Sequence, residues 1–68
     1  MVPVFDYHVT FRDATGQLHG VVVYAVASKE EAETKATQII GAICAQRLWN
    51  PKEFKLVSTE LYVERILS

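Results

Sequence analysis

Val4–Arg12, VFDYHVTFR, alternates apolar and polar residues from Phe5 onward. Phe5, Tyr7, Val9 and Phe11 fall on one side; Asp6, His8, Thr10 and Arg12 fall on the other. A period of two built from aromatic and β-branched residues predicts a strand with one buried face. Pro3 suits its start, where a missing N–H costs little. DATGQ, Asp13–Gln17, then predicts a turn. Asp13 can bond to backbone two residues on, and Gly16 can take positive φ. A type I turn closed by a left-handed glycine makes a three-residue hairpin loop with a bulge. That register pairs Phe11 with His19, Val9 with Val21, Tyr7 with Val23 and Phe5 with Ala25. A two-residue loop would slip it by one and exchange the faces of the second strand.

The second strand, within His19–Ala27, is apolar on both sides. In the bulged register Val21, Val23 and Ala25 go inward, and Leu18, Val22, Tyr24 and Val26 face away. Ser28 follows as a helix N-cap, with Glu31 three residues on as a capping box and Glu30 and Glu31 at the positive end of the helix dipole. Ala32, Ala36, Ile39, Ile40 and Ile43 recur at helical spacing as one apolar stripe. Glu31, Thr34, Lys35, Gln38 and Ala45 lie opposite, with Glu31 and Lys35 a favourable i,i+4 pair. Asn50 precedes Pro51, which disfavours helix there. The helix is placed at Lys29–Leu48. Phe54–Ile66 reads as a last strand, with Val57, Thr59, Leu61 and Val63 on one face and Ser58, Glu60, Tyr62 and Glu64 on the other. A break near Ser58–Thr59 would make it two short strands.

The fold class is therefore α+β, laid out β-β-α-β. A right-handed crossover gives a three-stranded antiparallel sheet of order 2-1-3 with one helix on one face. The expected core is Phe5, Tyr7, Val9, Phe11, Val21, Val23, Ala25, the helix stripe, Val57, Leu61 and Val63. The other face stays bare, including Asp6, His8 and Tyr62.

Composition narrows the class. Sixty-eight residues make one domain, 1–68, whose core contributes roughly 3–5 kcal/mol. Cys44 is the only cysteine, so no internal disulfide forms, and one Cys with two His does not fill a four-ligand zinc site. Packing or oligomerisation must supply the rest. Unpaired cysteine fits a reducing cytoplasm, the N-terminus has no signal-peptide pattern, and no apolar run approaches a membrane span. Half of the residues are apolar and the net charge is −1. Nucleic-acid binders usually carry a basic excess, and none exists overall.

Candidate chemistry is sparse. Asp6 and His8 share a strand face near Thr10, where an Asp–His pair can orient an imidazole. The nucleophiles at hand, Thr10, Ser58 and Tyr62, lie on a flat sheet. His8 and His19 fall on opposite faces, which is unsuited to a shared metal. Cys44 reads as a small hydrophobe beside the helix stripe. No catalytic site, cofactor or metal is expected. Arg47, Trp49, Lys52 and Lys55 form a small basic–aromatic cluster, as a single-stranded nucleic-acid platform would, although Glu53 sits among them. Trp49 serves equally to close the end of the core or to anchor a partner.

The second face of strand 2 is the remaining feature. Leu18, Val22, Tyr24 and Val26, with His8 and Tyr62 nearby, form an apolar and aromatic surface. Contiguous patches of this kind mark interaction sites, here for another copy of the chain or for a different protein. The opening strand YHVTF, the DATG turn and a strand running straight into ASKEEAETKA resemble, at the level of layout, small phage- and mobile-element-encoded β-β-α-β proteins, including anti-CRISPR-type inhibitors. The resemblance covers about the first 48 residues. It implies a non-enzymatic protein-binding module in a bacterial or phage-infected cytoplasm, an inhibitor that blocks a host complex by steric occlusion. A small nucleic-acid-binding module and a structural homodimer are the alternatives.

Overall fold

The structure, a computed structural model, describes residues 2–67. Two strands, β1 (Val2–Arg12) and β2 (Leu18–Val26), form a hairpin. Helix α1 (Lys29–Arg47) follows, then a short 3-10 turn (Pro51–Glu53) and a third strand, β3 (Lys55–Leu67). All pairings are antiparallel and the order is β2-β1-β3. This is the expected β-β-α-β layout, and the last segment is one strand rather than two.

The turn forms as its residues dictate. Asp13 N–H donates to Gln17 O at 3.0 Å, and Gly16 sits at φ 88°. The Asp13 carboxylate accepts from the amides of Thr15 and Gln17. The register that results pairs Phe11 with His19, Val9 with Val21 and Tyr7 with Val23, as the bulged loop requires.

The hairpin then departs from strict alternation. Phe5 pairs with Val26 instead of Ala25, so β2 carries one residue too many opposite Asp6. Ala25 absorbs the excess at φ 57°, a left-handed conformation rare outside glycine. Two assignments change as a result. Val26 turns under the helix and is fully buried, whereas Ala25 is exposed. Asp6, expected on the bare face, is buried as well.

Ser28 caps α1, with Glu31 N–H donating to Ser28 Oγ at 3.2 Å. The Glu31 carboxylate reaches one residue further back, accepting from Ala27 N–H at 2.6 Å. The helix ends one residue before its predicted limit, and Leu48 takes the left-handed cap at φ 59°. Its buried ridge is Ala32, Ala36, Ile40 and Cys44, a strict four-residue repeat. Ile39 is exposed and Ile43 half-buried, while Cys44 is fully buried as part of the core. This ridge packs on Val9, Phe11, Val23 and Val26, with Tyr7, Val21 and Phe54 at its margin.

The largest correction concerns β3. Val57, Leu61 and Val63 were expected in the core, and all three are exposed. The helix lies over β1 and β2 and hardly touches β3. Length alone explains part of this. Nineteen helical residues span about 28 Å. Thirteen strand residues span about 40 Å. The sheet therefore outruns its cover, and the longest dimension of the molecule is 42 Å.

Candidate functional site

Three surface regions carry the residues singled out by the sequence. The first is the free edge of β2. Leu18 and Tyr24 are exposed there as expected, and Val22 is half-buried. Val26 is removed from this surface by the Ala25 bulge. Val22, Tyr24, Ile39 and Ala42 line a shallow apolar groove between β2 and α1, with Lys35 and Gln38 at its rim. Lys35 lies 3.8 Å from Glu31, the expected i,i+4 pair. On the far side of the sheet, His8 is exposed and its imidazole lies over Gly20. A Cβ at Gly20 would come within 2.5 Å of His8 Nε2. Glycine at this position makes room for the ring.

The second region is β3, the other edge of the sheet. Among its described side chains none is buried. Leu56, Val57, Leu61, Tyr62, Val63 and Ile66 are exposed by 39–65%. The ladder with β1 assigns their faces. Leu56 sits opposite Phe11, Leu61 opposite Tyr7 and Ile66 opposite Pro3, all on the helix side; Ser58, Glu60 and Val63 lie on the other. The pairing slips twice, leaving Val57 and Tyr62 as extra residues. Such bulges rotate side chains off a strict two-residue alternation. Tyr62 was picked out from the sequence; the remainder of this surface was not. Its signal was present in KLVSTELYVERIL, whose apolar residues do not keep to one face.

Only two side chains tie β3 to the remainder of the fold by hydrogen bonds among the described residues. Thr59 Oγ1 donates to Glu33 Oε2 at 2.6 Å. Arg65 Nη2 donates to Asp6 Oδ1 at 2.7 Å. Asp6 also accepts the Ala25 amide at 2.9 Å. These bonds hold the Asp6 carboxyl below its ordinary value, the Ala25 amide contributing most and burial opposing it, with Arg65 adding to the lowering.

The third region is the hairpin end. His19 Nε2 lies 2.8 Å from Asp13 Oδ2. Its ring packs 5.0 Å from Phe54 and 5.9 Å from Trp49, and Trp49 and Phe54 stack at 6.0 Å. The Arg47 guanidinium sits 5.2 Å over the Trp49 ring. Asp13 is pushed well below the ordinary carboxylate range, first by the His19 hydrogen bond and next by Thr15 Oγ1. A cleft beside this cluster is lined by Asp13, Thr15, Gln17, Trp49, Glu53 and Phe54. Leu48, at its mouth, is 93% exposed.

The four candidate nucleic-acid residues are not gathered into one platform. Arg47 and Trp49 sit together at the helix end. Lys52 is exposed on the 3-10 turn, and Lys55 lies opposite Arg12 in the ladder. Asp13 and Glu53 line the same cleft as Trp49, and acidic side chains there disfavour a phosphate backbone. The indole closes the end of the core against Phe54 and His19.

The catalytic arrangement considered from sequence is not assembled either. The Asp6 carboxylate faces Ala25 and Arg65, so it does not orient His8. The carboxylate beside His19 is Asp13, and its hydroxyl neighbour Thr15 donates to that same carboxylate at 2.6 Å. No group of three or more metal-ligating side chains occurs among the described residues, and no described helix is long and apolar enough to cross a membrane. Comparison with protein-family models, curated proteins and solved structures finds no match.

Proposed function

We propose that this chain is a non-enzymatic protein-binding module, and that β3 is its recognition strand. One observation carries the reading: a thirteen-residue edge strand with six exposed apolar side chains and no buried one among those described. An edge strand presents unpaired N–H and C=O groups, and a long apolar edge is what strand addition uses. The polar groups nearest to a catalytic pattern are engaged in structure, His19 with Asp13 and Asp6 with Ala25 and Arg65. The layout resemblance to small phage-encoded inhibitors supports the same class. A module of this kind acts by covering a surface of a larger host complex. The groove along β2 is a second apolar surface, on a strand of nine residues rather than thirteen.

A photo-crosslinking residue substituted at Tyr62 tests the reading. The expected result is one adduct of defined mass, lost in a Leu61→Lys background and absent when the label is moved to Lys52. Equal labelling from both positions, or no adduct from Tyr62, overturns it.

A further inference from the structure

We infer that the occupant of the β3 edge is a cationic, apolar segment of the partner in extended conformation, with two lysine or arginine side chains separated by a pair of apolar residues; this rests on β3 being the recognition strand.

The ladder with β1 sets what that edge displays. The extra residues Val57 and Tyr62 divide it into two regular stretches, Ser58–Leu61 and Val63–Ile66. Each stretch holds one glutamate. Glu60 sits opposite His8, on the face away from the helix, and Glu64 sits opposite Phe5, on the helix side. Both are exposed, and neither has a charge partner among the described residues. The imidazole opposite Glu60 is turned the other way, over Gly20 of β2. The cation next to Glu64, Arg65, is held by Asp6 at 2.7 Å. Lys55 and its ladder neighbour Arg12 lie before the first bulge. Beyond Val57 the free charge of the edge is therefore negative, and it is interspersed with the exposed Leu61, Val63 and Ile66.

The flank of α1 toward β3 has the same sign. Glu33 accepts from Thr59 Oγ1 at 2.6 Å, which holds it over the strand. Glu30 and Glu33 line a shallow groove that reaches Leu56, and no ion pair neutralises either. Lys29 is the unpaired cation of this end of the helix. Against it stand four carboxylates, Glu30, Glu33, Glu60 and Glu64.

An added strand fits this arrangement. Its side chains alternate between the two faces of the sheet, so it reaches Glu60 on one and Glu64 on the other. Its backbone takes up the free N–H and C=O groups of β3. A helix lying beside α1 would meet Glu30, Glu33 and Glu64 but not Glu60. Opposite charges on neighbouring strands attract and like charges repel, which selects cations opposite both glutamates. A strand that passes Tyr62 as β1 does finds Leu61 and Val63 between the two glutamates. Its own cations then stand three residues apart, an odd interval that places them on opposite faces. Apolar residues between them meet Leu61 and Val63. The same carboxylates steer a basic partner toward this edge during encounter.

Peptides titrated into the isotopically labelled chain test this, with the amide shifts of β3 as the readout. The probe is Thr-Val-Lys-Val-Val-Lys-Val-Thr, whose spacing is the same in either strand direction. Its counterparts replace both lysines by threonine or by glutamate, and a spacing control, Thr-Val-Lys-Val-Lys-Val-Val-Thr, puts both lysines on one face. The lysine probe should shift Ser58–Ile66 and bind about 10-fold more tightly than the threonine peptide, and the glutamate peptide should bind more weakly than either. Glu60→Lys/Glu64→Lys should reverse that order. Glu60→Gln/Glu64→Gln should bring the lysine and threonine peptides level, and keeps the test in force if circular dichroism shows the lysine variant unfolded. A threonine or glutamate peptide that binds β3 as tightly as the lysine probe overturns the cationic partner and leaves β3 as the recognition strand. A lysine preference that survives both variants, or equal binding of the spacing control, overturns the assignment to Glu60 and Glu64. Peptides that shift only the β2 groove, or leave β3 unmoved at millimolar concentration, overturn the proposal together with the recognition strand.

Discussion

The Asp6 carboxylate accepts the Ala25 amide across the hairpin at 2.9 Å. That amide belongs to the residue in left-handed conformation, and the bulge it forms turns Val26 into the core. Asp6 is thus the side chain that satisfies the bulge, and Arg65 in turn neutralises it from β3. Asp6→Asn keeps an oxygen for the amide and loses the charge pair. Asp6→Ala leaves the amide without its acceptor, and an unmade bond at a buried site costs more than a weakened one. Thermal midpoints should fall in the order wild type, Asp6→Asn, Asp6→Ala, with the second step roughly as large as the first or larger. Equal midpoints for the two variants would show that the amide bond is not what Asp6 contributes.

The same chemistry sets the acid limit of the fold. Asp6 and Asp13 both sit below their ordinary 3.8 in the folded chain. The unfolded chain therefore takes up protons first as the pH drops, and stability falls with it. Their contribution is complete above about pH 5 and is lost as the pH falls through 3.8 and below. Urea midpoints should be flat near neutrality and decline in acid, and Asp13→Asn should make the acid decline shallower. A midpoint that holds steady down to about pH 3 contradicts the assignment.

Much of this was legible in the residues. Asp13, Gly16 and the alternation of β1 set the hairpin register, and Ser28 with Glu31 set the start of the helix. These signals are local, each acting within a few residues. The bulge at Ala25 was not legible, because it depends on Asp6, nineteen residues away. The exposure of β3 was not legible either. Val57, Leu61 and Val63 read as inward-facing on a strict period of two, and the extra residues Val57 and Tyr62 break that period only when paired with β1. Whether a helix reaches across a third strand is a matter of tertiary placement, which periodicity does not encode.

Leu48 combines two unfavourable features, a left-handed backbone at φ 59° and a side chain 93% exposed. The left-handed conformation costs a residue with a Cβ about 1–2 kcal/mol, and glycine is the usual occupant of this cap. Leu48→Gly gives up no packing, but returns part of the gain through its freer unfolded chain. The net should be about 1 kcal/mol of added stability, a rise of roughly 4–8 °C in the melting midpoint. A drop in the midpoint would mean that the leucine side chain makes contacts in solution that its exposure does not show.

Val26 and Tyr24 decide whether the bulge places side chains as described. Strict alternation gives both residues the same outward fate. In the structure Val26 is fully buried against the helix ridge and Tyr24 is exposed. Val26→Ala removes two buried carbons at about 0.8 kcal/mol each, with a further cost for the cavity left behind, so about 2 kcal/mol in all. Tyr24→Ala on the surface should stay within about 0.5 kcal/mol. Chemical denaturation of the two variants, with unchanged slopes, reads the difference directly. Comparable losses at both sites would restore the unbulged register, and with it an outward-facing Val26.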